Sequence, residues 1–126
     1  MPIQARWYND ERTIILYQMS GQLTLDDFTN MMQLGYDMRE QVEHIVHGII
    51  DVTQATGRLP KGLIAHYPQL AQMPHPRVGM SIYVHPSRMA HTFTDIYSRL
   101  FGTVYVAPSI DDALTMIARY QARYTS

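Results

Sequence analysis

The apolar run Val46–Val52 closes on Asp51 and Thr53 with Arg58 beyond, His85, Ser87 and Arg88 follow Val78–Val84, and Ser109 follows Thr103–Ala107. Short apolar runs that close on polar residues suit buried parallel strands, and in open parallel sheets ligands sit beyond the carboxyl ends of the strands. Ser87 and Ser109 also stand where helices would begin. There, unpaired N–H groups and the helix dipole could hold a small anion, with Arg88 or Arg58 adding charge. The same two serines fit plain N-caps beside solvated arginines, which is the commoner arrangement.

Other chemistries find less support. A Ser-His-Asp hydrolase could draw on Ser87, His85 and Asp51, but Pro86 precedes the serine and no Gly-x-Ser-x-Gly elbow occurs. The six histidines are His44, His47, His66, His75, His85 and His91. None belongs to a His-Glu-x-x-His motif, and a helix-to-strand boundary near His44 and His47 would turn those two apart, so surface or packing roles are expected and no metal site. With no cysteine in the chain there is no disulfide, thiolate nucleophile or Cys-type zinc site. No cofactor is expected.

Nine Met and nine Tyr are many for 126 residues. Tyr67, Met89 and Tyr97 could line an apolar pocket for a small acyl or lipid-like ligand. Met31 and Met38 fall off the main apolar stripe of their helix, which makes them the candidate surface for a homodimer; charging both is then expected to separate the subunits without unfolding them. The basic residues are nine Arg and Lys61, without a basic tract, and the net charge is -1. A broad nucleic-acid surface is therefore not expected. No apolar stretch is long enough to span a membrane and the first residues lack an apolar signal core, so a cytoplasmic protein is expected.

The elements that must position these residues can be read from periodicity. Ile3–Tyr8 and Thr13–Met19 are rich in β-branched and aromatic residues around Asn9-Asp10-Glu11-Arg12, which predicts an opening hairpin. Thr24 is placed to cap a helix with Asp26 and Asp27 in its first turn. Leu25, Phe28, Met32 and Tyr36 form its inward stripe, and its end is expected near Glu40 to Glu43. Gly35 inside that helix marks close packing. Val46–Val52 is a strand and Thr53 to Gly62 a loop. Leu63–Met73 is a helix broken by Pro68, Val78–Val84 a strand, and Met89, Phe93, Ile96, Tyr97, Leu100 and Phe101 mark a helix stopping at Gly102. Thr103–Ala107 is a short strand, and Ser109 caps a last helix with Ile110, Ala113, Leu114, Ile117 and Gln121 facing inward. The order is β-β-α-β-α-β-α-β-α. It predicts a single α/β domain over residues 1–126, with a mixed, mostly parallel five-stranded sheet covered by four helices.

That order resembles the SpoIIAA-like branch of the STAS superfamily, including its Sec14-like members. The likeness is carried by Ile49-Ile50-Asp51-Val52-Thr53, by Met73-Pro74-His75-Pro76-Arg77-Val78-Gly79, and by Val106-Ala107-Pro108-Ser109-Ile110-Asp111-Asp112-Ala113-Leu114. It implies a non-enzymatic regulatory module acting through a protein partner. The regulatory members of that group carry an Asp-Ser-Ser-Gly-like loop with a phosphorylated serine; here the stretch reads Thr56-Gly57-Arg58-Leu59-Pro60-Lys61-Gly62. It holds no serine, so that switch does not carry over.

Overall fold

Asn9 shows why the chain doubles back where it does. Its side-chain Oδ1 accepts the Thr13 amide at 3.0 Å while its Nδ2 donates to the Thr13 hydroxyl at 2.7 Å. Arg12 completes the turn in the left-handed region at φ 56°, with its guanidinium 6.0 Å from the Trp7 ring centroid. This turn joins β1 (Ile3–Trp7) to β2 (Ile14–Gln22), paired antiparallel with Ile3 opposite Met19 and Trp7 opposite Ile15. The computed structural model describes residues 3–22, 24–56, 76–84 and 104–125. The helices expected over Leu63–Met73 and from Ser87 to Phe101 lie outside these residues.

Beyond the hairpin come α1 (Leu25–Arg39), β3 (Val46–Thr56), β4 (Val78–Val84), β5 (Val104–Ala107) and α2 (Ile110–Thr125). The strands lie in sequence order in one five-stranded sheet, in which β2, β3, β4 and β5 run parallel and β1 forms an antiparallel edge. This is the expected mixed sheet. Period-two alternation sends Ile15, Tyr17 and Met19 of β2 and Val46, Ile50 and Val52 of β3 to the face that packs Phe28 and Met31 of α1. Ile14, Leu16, Ile49, Met80, Ile82, Val84 and Ala107 fill the opposite face against Ala113 and Ile117 of α2.

Two sequence expectations need correction. The first concerns the phase of α1: Met31 is 9% exposed in the core and Met38 packs half-buried against it, whereas Leu34 is the exposed apolar residue. The inward stripe runs through Phe28, Met31, Gly35 and Arg39, because a buried arginine and a glycine occupy positions that an apolar count skips. Met31 and Met38 therefore face the sheet rather than a free surface. The second is the length of β3, which continues through Thr53 to Thr56, paired with Ser20–Gln22 of an equally extended β2, where a loop was expected. Gly21 permits this extension at φ 71°. The end of α1 falls where it was expected, with Arg39 its last residue and Glu40 its C-cap.

Candidate functional site

The parallel register puts Asp51, Val84 and Ala107 in one cross-strand row. Asp51 and the start of α2 thus come to the same end of the sheet, as the strand pattern predicted. Arg58, His85, Ser87 and Arg88 lie outside the described residues, as do Tyr67, Met89 and Tyr97 of the expected apolar pocket.

At Asp51 the ladder between β2 and β3 shifts: Gln18 pairs with Asp51, but Ser20 pairs with Gln54, so β3 carries one extra residue. An amide in such a bulge loses its partner across the ladder. The Asp51 carboxylate supplies one, accepting the Thr53 N–H at 2.9 Å and the Thr53 hydroxyl at 2.6 Å with the same oxygen. The pair is thus a local closure of the backbone. Ser109 has a similar role at α2: its Oγ accepts the Asp112 amide at 3.1 Å and donates to the Asp112 carboxylate at 2.8 Å. The positive end of α2 is already met by a carboxylate from its own first turn.

A second bulge lies near the other end of the sheet. Val46 pairs with Val78 while Gly48 pairs with Ser81, so the extra residue sits in β4 opposite His47. The displaced amide is that of Met80, and it donates to His47 Nδ1 at 2.9 Å. His47 is 2% exposed, and its ring meets that of Tyr120 on α2 edge-on, with centroids 5.2 Å apart. Because Nδ1 accepts, the neutral ring carries its proton on Nε2. Burial and then the nearby Arg39 guanidinium push its pKa below the ordinary 6.5. Gly79 leaves the ring its room, since a Cβ there would overlap Nδ1.

Arg39 is itself 5% exposed at the end of α1. Its Nε and Nη2 donate to the Val46 carbonyl at 3.3 and 3.0 Å, and its Nη1 to the Tyr17 hydroxyl at 3.2 Å. Gly35 and Gly48 make space for this arrangement: a Cβ at position 35 would overlap the Tyr17 hydroxyl, and one at 48 would come 3.2 Å from the Tyr17 ring. Close packing at Gly35 was legible in the sequence. The Tyr17–Arg39 pair and the His47–Met80 contact were not, because strand parity and helix spacing report apolar faces and say nothing of a polar group buried within one. His44, by contrast, is exposed and bonds the Arg12 carbonyl at 2.8 Å, so the two histidines diverge as expected.

The architecture has counterparts among solved structures. The anti-sigma factor antagonist SpoIIAA in its unphosphorylated form superposes with a TM-score of 0.54 over 92% of this chain and 97% of that one, at 11% identity. The chain has a SpoIIAA-like fold. The Bacillus cell fate determinant SpoIIAA in the phosphorylated form gives a TM-score of 0.53 over 91% and 98% of the two chains, also at 11% identity. No protein-family model and no curated protein sequence matches the chain. Within this SpoIIAA-like fold, the third strand does not stop at the Asp51–Thr53 pair but bulges there and continues for three further residues. Neither described helix is long and apolar enough to cross a membrane.

Proposed function

We propose that this chain is a non-enzymatic protein-interaction module of the SpoIIAA type, a homodimer that acts on a regulatory protein partner in the cytoplasm. The observation that carries the reading is the correspondence with SpoIIAA over nearly the full length of both chains. That protein is an anti-sigma factor antagonist. The described strand-end groups are consistent with this reading, since Asp51, Thr53, Ser109 and Asp112 bond to one another or to nearby backbone. Regulation by a phosphoserine does not accompany the proposal, because residues 56–62 hold no serine.

Native mass spectrometry of gently purified protein tests the reading. A species at twice the chain mass, without a retained small molecule, is the expected result. Monomer alone at high concentration would remove the homodimer. An added mass released on denaturation would replace the interaction module with a carrier of a small apolar or acyl ligand. Ester hydrolysis that disappears in Ser87→Ala would overturn the non-enzymatic reading.

A further inference from the structure

We propose that His47 is a proton-operated switch on the C-terminal helix: neutral, it holds the β4 bulge closed and seats α2, and protonated, it lets α2 leave the sheet. The bulge opposite His47 leaves the Met80 amide without a ladder partner, and the imidazole stands in for the missing carbonyl. Only the neutral ring can do this. Once protonated, both ring nitrogens are donors, so Nδ1–H would point at the Met80 N–H and the buried amide would lose its acceptor. The same ring packs edge-on against Tyr120 of α2. Charge and helix seating therefore meet on one side chain.

The surroundings do nothing to favour the charged form. Among the described residues, the charged group that acts on the ring is the Arg39 guanidinium from α1, and the titratable group that meets it is the Tyr120 phenol from α2. β4 contributes Gly79 and Met80, and β2 contributes Ile14, the cross-strand neighbour of His47. The one fixed charge in this set is positive, so it opposes a second cation. Relief comes if α2 lifts and water reaches the imidazole.

The magnitude follows from linkage. With the open form titrating at the ordinary 6.5 and the closed form below it, the population with α2 open rises between pH 7.5 and 5.5, by up to about ten-fold. Hydrogen exchange on the full chain reads this directly, after correction for the intrinsic pH dependence of amide exchange. Peptides covering residues 110–125 are expected to show this rise, with peptides over residues 3–22 unchanged. His47→Gln, whose amide oxygen can accept from Met80 but cannot titrate, is expected to abolish it. A flat response in the wild type, an equal rise in His47→Gln, or equal opening of the hairpin would each overturn the switch. Should His47→Gln fail to fold, an NMR titration of the wild type decides. With the His47 ring assigned through its contact with Tyr120, α2 amides that move with the ring support the proposal. A ring that titrates while those amides stay still overturns it.

Discussion

Tyr17, Arg39 and His47 are the residues on which burial and polarity conflict most sharply in this protein. Arg39 keeps its charge inside the fold by giving three donors to the Val46 carbonyl and the Tyr17 hydroxyl, and it can do so because two glycines leave the tyrosine room. Tyr17→Phe removes an acceptor from a buried guanidinium, and we expect it to cost about 1.5–3 kcal/mol in urea unfolding. Gly35→Ala drives a methyl group into the Tyr17 hydroxyl, and is expected to cost about 1–3 kcal/mol. The two changes should not add. Removing the hydroxyl relieves the clash, so a double mutant whose loss equals the sum of the singles would show that the contact is absent. His47 has a pH consequence for the whole chain. Its folded pKa lies below the ordinary 6.5, so between those two values the unfolded state binds more protons and stability falls as pH falls. Urea midpoints are expected to be level above pH 7.5 and to drop towards pH 5.5, with a shallower drop in His47→Gln.

At the scale of elements, the helix starts are held by short polar side chains and the strand irregularities by polar side chains aimed at orphan amides. Thr24 and Asp27 form a reciprocal box at α1: the Asp27 amide donates to the threonine hydroxyl at 3.2 Å, and the Thr24 amide donates to the Asp27 carboxylate at 2.7 Å. Thr24→Ala is expected to destabilise by about 1 kcal/mol, measured by thermal unfolding, and Ser109→Ala by a similar amount at α2. A further loss of binding to a small anion in Ser109→Ala, beyond what the stability change explains, would assign that serine a ligand as well as a cap. The bulges follow the same logic on the sheet, where Asp51 and His47 replace ladder carbonyls. Two side chains of β3, a carboxylate and an imidazole, thus solve one backbone problem, the first in β3 itself and the second in the neighbouring β4.

For the molecule as a whole, the sheet is a septum between two cores, with α1 on one face and α2 on the other. This arrangement changes how a dimer should be sought. Met31 belongs to the α1 core, so Met31→Glu would bury a carboxylate without a partner, and we expect loss of cooperative unfolding rather than a folded monomer. Circular dichroism beside native mass spectrometry separates those outcomes. A folded Met31→Glu protein at monomer mass would restore the residue to an interface.

The five strands along the chain, the antiparallel edge, both cap residues and the inward face of α2 were all legible in the chain itself. They rest on local rules: period two for strands, three-to-four spacing for helices, and a short polar residue before a helix. The phase of α1 and the length of β3 were not. Both depend on what lies across a contact: Gly35 and Arg39 face inward because Tyr17 and Val46 receive them, and β3 runs on because an equally extended β2 is there to pair with it. The same holds for His47. The sequence left it a surface or a packing role, and its part as the acceptor for Met80 exists only where β4 carries one residue more than β3; a register between strands some thirty residues apart is settled by packing alone.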